Sequence, residues 1–358
     1  MSPEHDISVL TGLQAARALS AAGRQPHLLY WSKANQWYEV DPAVEAIGFK
    51  DGVPTRSTPL RLVVGPGGGF LADGGALRKA RALELSAAIV CCHGSPGEDG
   101  TLQAALNLAG IAYTGPDHQA AALGMDKLAF GAVVRAAGMP VLDREMVLVE
   151  DGWAPSFAGP YLVKPRFGGS SIGIEAAADA AVVVQLARTS LHLRPGAVVE
   201  PYRPESADLE IAVRTWPTLA LSAISKPERA GGRIYSYRDK YVGGEGMVSA
   251  PRQIDPELPG ETAKLVREHA ARIAELVRLR GVARVDFLLE GEDLYVNEVN
   301  TIPGSLAKHL WAVPPVPFIE LLDTMLEEAV RRPAFAWTVD GADGSALRSA
   351  GTIDSKLG

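Results

Sequence analysis

Residues 283–300 run ARVDFLLEGEDLYVNEVN. Two apolar stretches, 284–289 and 294–298, flank a polar turn at 290–293, a pattern that predicts two strands joined by a tight turn. Pairing them would carry Asp286 towards Glu298 and Asn300. Side chains alternate faces along a strand, so Glu298 and Asn300, two apart, share one face. An all-oxygen cluster of this kind suits hard Mg²⁺, with water and a nucleotide phosphate completing its shell. Taken alone, the same stretch reads equally well as a solvated hairpin with ordinary acidic residues.

Upstream, Lys164-Pro-Arg-Phe-Gly168-Gly169-Ser170-Ser171-Ile-Gly173 follows an apolar strand predicted at 161–163. Glycines and serines let backbone N–H groups and hydroxyls close over a phosphate, and a lysine at a strand end supplies a point charge to it. The spacing is neither G-x-x-x-x-G-K-[ST] nor G-x-G-x-x-G, which disfavours a Walker loop and a dinucleotide fold. A flexible surface turn is the alternative. A third stretch, His93-Gly-Ser-Pro-Gly97-Glu98-Asp99-Gly100-Thr101, lies between a strand end and a helix start. Asp99 or Thr101 would cap that helix. His93 falls at the carboxyl end of a strand, where ligands of open α/β sheets tend to sit, although a lone loop histidine is more often structural.

The remainder of the chain sets limits. Its 358 residues, 47% apolar and 22% charged, suffice for two or three packed units. A net charge of -7 and scattered Lys and Arg give no basic field for a phosphate backbone, so nucleic acid is not an expected partner. Cys91 and Cys92 are neighbours, a spacing that strains a mutual disulfide and suits thiols in a reducing compartment, the cytoplasm. No signal peptide and no membrane-spanning run is read from the sequence. Within residues 1–115, helical spacing at 7–22 and 101–109 alternates with strand candidates at 26–31, 60–64 and 87–92, predicting a parallel α/β sheet. A smaller unit at 116–205 opens with one helix over 117–137. A third, 206–332, carries the hairpin and a long helix over 261–280, and 333–358 reads as a loosely docked tail.

Taken together, these segments resemble the D-alanine:D-alanine ligase family of the ATP-grasp superfamily. The order is HGSPGEDGTLQAALNLAGIAYTGP (93–116), MDKLAF (125–130), VKPRFGGSSIG (163–173), YSYRDKY (235–241), ARVDFLL (283–289) and NEVNTIPG (297–304). The resemblance implies an N-terminal parallel α/β domain followed by two α+β domains that grip ATP. It implies ligation of a carboxylate to an amine through an acyl phosphate, releasing ADP and phosphate, with amino acids as substrates and cell-wall dipeptide as product. Carried over by position, Lys127, Lys164 and Lys240 would neutralise ATP phosphates. Glu200 and Tyr202 would form the adenine hinge, and Glu210 would contact the ribose. Asp286, Glu298 and Asn300 would hold Mg²⁺ or Mn²⁺, as two ions. Arg284 and the Gly304 N–H would stand beside the tetrahedral oxyanion. Glu4 would fix the first amino acid's ammonium, with Ser170 and Tyr241 as its partners. His93, Lys308, His309 and Leu310 would line the amino-acid sites. Assembly as a homodimer is the accompanying expectation.

Three features depart from the family pattern. The chain starts inside the turn that normally follows an apolar first strand, so a central strand is expected to be missing. The phosphate loop has Phe167-Gly168-Gly169-Ser170-Ser171 where the family has Arg-Glu-Gly-Ser-Ser. Lys308 and His309 replace smaller residues where the second amino acid's carboxylate would bind, which raises the alternative of a larger or acidic acceptor. A regulator that kept ATP but lost ligation is a further alternative, opposed by Arg284, Lys240 and Tyr241.

Overall fold

The computed structural model describes residues 2–73, 80–228, 251–334 and 338–356. Lys240 and Tyr241 lie outside them. The helical spacing near the start forms α1, His5–Ala21, which buries Ile7, Leu13, Ala15, Ala16 and Leu19. Five short strands follow: β1 (Leu28–Trp31), β2 (Trp37–Val40), β3 (Thr58–Val63), β4 (Gly69–Ala72) and β5 (Arg81–Ala82). They pair in chain order, antiparallel at every step.

This meander corrects the parallel sheet expected for residues 1–115. The β-prone stretch 87–92 builds no ladder and contributes one parallel bridge, Ala88 to Tyr113. Across an apolar cavity of about 770 Å³ it faces α1 and β1, which among the described residues pairs with β2 alone. Strand propensity is expressed only where a neighbour stands at hydrogen-bonding distance, and here the cavity separates this stretch from β1. Short helix α2 (Thr101–Leu108) then covers the sheet through Leu102 and Leu106.

The single helix expected over 117–137 is two, α3 (His118–Met125) and α4 (Lys127–Ala136). Asp126 leaves helical geometry at ψ 97° and its carboxylate caps α4, accepting from the Leu128 and Ala129 N–H groups. Aspartate favours such a break because its carboxylate competes with the helix's own carbonyls for the N–H groups that follow it. The break makes Lys127 the first residue of α4, beside the phosphate loop. A second antiparallel sheet comprises β6 (Glu145–Met146), β7 (Tyr161–Pro165), β8 (Glu175–Ala177) and β9 (Ala197–Pro201), ordered β6-β9-β7-β8. Helix α5, Ala180–Thr189, packs on it through Val183 and Ala187.

The third sheet is ordered β12-β11-β10-β13-β14, from β10 (Ala207–Arg214), β11 (Ala220–Pro227), β12 (Arg252–Ile254), β13 (Val282–Glu290) and β14 (Asp293–Asn300). The expected hairpin is β13 and β14, in a register that sets Arg284 opposite Asn300 and Asp286 opposite Glu298. Alternation sends Val285 and Phe287 into a core with Phe130 and Val134 of α4 and Ile273 of α6 (Thr262–Leu276), and a bulge at Asn297 of β14 lets Val296 join it while Glu298 keeps to the other face. The opposite face carries the polar residues. Beyond β14 a 3₁₀ segment, Gly304–Leu310, holds Ser305, Leu306 and Ala307 at φ 50°, 50° and 51°. Helix α7, Phe318–Arg331, follows, and the tail contains a short helix α8, Ser345–Ala350. Leu306, Leu310, Leu321 and Leu322 share one core with Leu19, Phe70 and Tyr113, so the 3₁₀ segment is packed onto the first 115 residues.

Candidate active site

Strand β10 sets Glu210 opposite Asp286, and β13 sets Asp286 opposite Glu298, so three carboxylates form a cross-strand row. Like charges directly opposite one another destabilise a sheet, and the row is stable because cations interleave it. Arg284 holds Asp286 through two contacts, Nε to Oδ1 at 2.6 Å and Nη2 to Oδ2 at 2.7 Å. It also lies 3.7 Å from Glu210, while Arg252 reaches Glu210 at 3.3 Å. Lys127 pairs with Glu298 at 3.0 Å. Asn300 donates its amide N–H to Asp286 Oδ2 at 3.0 Å. Burial pushes the Asp286 carboxyl above the usual carboxylate range. Arg284 opposes that rise, and the charges of Glu210 and Glu298 add to it.

Facing this row across a narrow cleft is the phosphate loop of the second sheet. Lys164, at the end of β7 and 5% exposed, pairs with Glu200 at 2.5 Å and donates to Asn297 Oδ1 at 3.3 Å. Lys127, 7% exposed, donates to the Gly168 carbonyl at 2.5 Å. Both lysines therefore point into the space between the sheets. Arg144 cross-links them: it pairs with Glu200 at 2.5 Å, donates to the Lys127 carbonyl, and donates to the Asn297 carbonyl at 3.2 Å. Burial alone would raise the Glu200 carboxyl, but the Arg144 and Lys164 charges prevail and hold it low. Arg166 anchors the loop's root with a two-pronged contact to Asp126 at 2.8 and 2.6 Å. The cleft encloses about 120 Å³ and is lined by Lys127, Lys164, Tyr202, Arg284 and Asp286 among others. The much larger cavity beside α1 holds none of these charged groups, so chemistry, not size, locates the site.

From the first 115 residues, Glu4 stands at the start of α1 and accepts a hydrogen bond from Ser170 Oγ. Gly94 (φ +66°) lets the chain pass close to it: a Cβ there would lie 2.6 Å from the Glu4 carboxylate. His93 is 3% exposed, and both ring nitrogens are engaged, Nδ1 with the Ile302 carbonyl at 2.7 Å and Nε2 with Thr11 Oγ1 at 2.8 Å. Glu98 accepts from the Ile302 N–H at 2.8 Å, the Gly94 N–H at 3.1 Å and Thr301 Oγ1 at 3.3 Å.

Burial, with the charge of Glu4, raises Glu98 from 4.5 to about 7. A carboxyl raised in the fold contributes stability that is complete below its unfolded pKa and is lost as pH rises through about 7. Wild-type protein should lose about 2.5 kcal/mol between about pH 5 and about pH 8 relative to Glu98→Gln. Urea unfolding of both proteins at the two pH values checks this, and a constant difference between them would sink it.

The acceptor-side candidates are placed differently from one another. The Lys308 ammonium sits 5.1 Å above the Phe318 ring at the start of α7, and burial lowers its pKa. Among the described residues neither ring nitrogen of His309 has a hydrogen-bond partner, and burial, aided by Arg252, Arg284 and Lys308, holds the ring neutral with a pKa of about 3. The Leu310 side chain is fully buried in the core, which leaves only its backbone for a ligand.

Two groups of residues escaped the sequence reading. Asp208, two residues before Glu210 on β10, lines the cleft with Tyr202 and Ser206, whereas Glu210 is held by Arg252 and Arg284. Strand alternation from Glu210 would have found it. Arg144 and Thr11 carry no local motif, and Asn297, although it opens the motif at 297–304, acts on Lys164, far away in sequence.

The D-ala D-ala ligase N-terminus family matches residues 1–116, and the D-ala D-ala ligase C-terminus family matches residues 130–327. A D-alanine--D-alanine ligase of Mycolicibacterium vanbaalenii is 32% identical over 359 residues, covering 92% of this chain and 95% of that protein. D-alanyl-alanine synthetase A of Vibrio cholerae superposes with a TM-score of 0.75 at 20% identity, over 93% of this chain and 96% of the other. VanG D-Ala:D-Ser ligase of Enterococcus faecalis gives 0.70 at 23% identity, over 92% and 96%. With the phosphate loop and the row of carboxylates facing each other across one cleft, and both family regions matched in order, the chain belongs to the D-alanine–D-alanine ligase family, of ATP-grasp fold.

Proposed function

We propose that this protein is an ATP-dependent ligase that joins the carboxylate of one amino acid to the amine of another, forming a dipeptide of the D-alanyl-D-alanine type and releasing ADP and phosphate. The observation that carries this reading is the convergence of Lys127, Lys164 and Arg284 with Asp286 and Glu298 in one cleft between two sheets. A carboxylate is a poor electrophile until phosphorylation gives it a leaving group, and catalysis of that step is mostly placement and charge neutralisation.

In this scheme Lys127 and Lys164 take up the triphosphate, with Lys240 as a third contact, and Glu200 keeps Lys164 extended. Tyr202 lies at the adenine hinge, and Glu210, which lines the cleft together with Asp208, serves the ribose. Glu4 and Ser170 hold the first amino acid's ammonium together with Tyr241. Arg284 and the Gly304 N–H receive the oxyanion as the second amine attacks. Backbone groups around His309 and Leu310 face the second amino acid.

A divalent cation fits the donor chemistry. Among the described residues no three carboxylates, histidines or cysteines form a ready-made metal cluster, and Asp286, Glu298 and Asn300 offer two carboxylates and an amide, a partial oxygen set. Hard cations of this class keep positions for water and phosphate. These residues would hold Mg²⁺ or Mn²⁺, as two ions, whose charge when bound would spread that of the transferring phosphoryl group.

The larger-acceptor alternative has less support, since the Lys308 ammonium is turned towards the Phe318 ring. Unpaired thiols at Cys91 and Cys92 agree with a cytoplasmic location, and no helix among the described residues is long and apolar enough to cross a membrane. A homodimer, with unit boundaries near 115, 205 and 332, completes the proposal. ADP and phosphate release should be measured across D- and L-amino acids, singly and in pairs. Release that is greatest with D-alanine and yields the dipeptide supports the reading; no release above the ATP-only background with any pair overturns it.

A further inference from the structure

We propose that Thr11 is a positioning residue for the ligation step, holding the Gly304–Ser305 backbone from helix α1; this rests on the ligase reading above. The argument follows the protons. The Ile302 carbonyl can only accept, so His93 Nδ1 carries the hydrogen of their 2.7 Å contact. Burial keeps the ring neutral, with a pKa of about 4, so Nε2 is an acceptor. The one proton of the Thr11 hydroxyl then goes to Nε2 at 2.8 Å, which leaves Thr11 Oγ1 to accept the Ser305 N–H at 3.1 Å. Every donor and acceptor in this chain has one consistent role. Thr11 is 1% exposed and His93 3% exposed, so water does not compete for these bonds.

What Thr11 holds is an expensive piece of backbone. Ser305 opens a run of three non-glycine residues at φ near +50°, a conformation that L-residues adopt at a cost and rarely consecutively. Such a run persists only where its surroundings specify it, and the Ser305 N–H is fixed by Thr11. Gly304, whose N–H is proposed to meet the oxyanion, is the residue immediately before.

Helix α1 also carries Glu4, which Ser170 of the phosphate loop contacts. Glu4 and Thr11 are seven residues apart, two turns and about 10 Å along one side of a helix. One rigid element therefore touches the phosphate loop of the second sheet at its start and the turn after Pro303 two turns further on. The structure assigns to α1 the spacing between the donor's ammonium site and the oxyanion N–H, a spacing that neither ATP-binding sheet sets by itself.

Thr11→Val, nearly isosteric but without the hydroxyl, and Thr11→Ser, which keeps it, test this in the full-length protein. The measurements are kcat, KM for D-alanine at the donor site and for ATP, and hydrogen exchange of the Ser305 amide. The expected result for Thr11→Val is a loss of about tenfold in kcat, with both KM values within about twofold of wild type and Ser305 exchange accelerated about tenfold, all restored in Thr11→Ser. An active wild type whose Thr11→Val form turns over equally, or whose loss is not recovered by Thr11→Ser, overturns the positioning role alone. A wild type that releases no ADP with any amino-acid pair overturns the ligase reading and this proposal with it.

Discussion

Glu298→Ala will lower kcat for ADP formation by about a thousandfold, roughly 4 kcal/mol of transition-state stabilisation, while shifting the melting temperature by only a few degrees. Two consequences combine. The variant loses one of the two carboxylates proposed to hold the divalent cation, and Lys127 loses its 3.0 Å partner on β14. Lys127 still has the Gly168 carbonyl and stays buried, so the fold keeps a satisfied ammonium. The hairpin is anchored by Val285, Phe287 and Val296 on its other face, which the substitution does not reach. Glu298→Gln separates the two effects, because it keeps the volume and a weak oxygen ligand but removes the charge. Initial rates at rising Mg²⁺ give the readout: a thousandfold loss that excess Mg²⁺ only partly recovers supports the assignment, and turnover within tenfold of wild type sinks it.

The parts of the site legible in the sequence are those in which chemistry and local pattern coincide. The hairpin 282–300 was visible because its apolar positions alternate and its turn is polar, and the same alternation put Glu298 and Asn300 on one face. The loop after β7 was visible because Gly-Gly-Ser-Ser is unusual outside a tight turn. Contacts made across hundreds of residues were not visible: nothing in the neighbourhood of Arg144 announces that it binds Glu200, Lys127 and Asn297 at once. Thr11 likewise looks like an ordinary helix residue until Ser305 is placed against it. The failed parallel sheet shows the opposite limit. Residues 87–92 have every local mark of a strand, and the pairing partner that would make them one is not a local property.

Histidine 93 marks a boundary between motif and role. Its position at a strand's carboxyl end suggested a ligand contact, yet the structure commits both ring nitrogens to protein atoms. These two bonds tie the segment 301–305 to the first 115 residues. Glu98, five residues on, accepts from the N–H of the same residue, Ile302. A sequence motif reports that a segment is specialised; only geometry distinguishes touching the substrate from arranging what does.

Arg284→Ala should be the most damaging single substitution in the third sheet. The guanidinium holds Asp286 through two contacts and lies 3.7 Å from Glu210, so its removal leaves the largely buried Asp286 without its cation, while Glu210 keeps Arg252. Breaking one side of such a pair costs about 3–5 kcal/mol, because the remaining charge stays desolvated. Loss of the proposed oxyanion contact adds a fall in kcat of about a hundredfold to a thousandfold. Arg284→Lys distinguishes these effects. An ammonium restores positive charge near Asp286 but cannot reproduce a planar two-pronged grip or keep a further N–H aimed into the cleft. The lysine variant should therefore recover most of the melting temperature lost in the alanine variant while remaining about a hundredfold below wild type in kcat. Thermal unfolding and steady-state kinetics on both proteins decide the matter. If lysine restores turnover along with stability, Arg284 serves the carboxylate row as a counterion and the oxyanion must be met by other groups; if it restores stability alone, the guanidinium geometry itself is what the reaction uses.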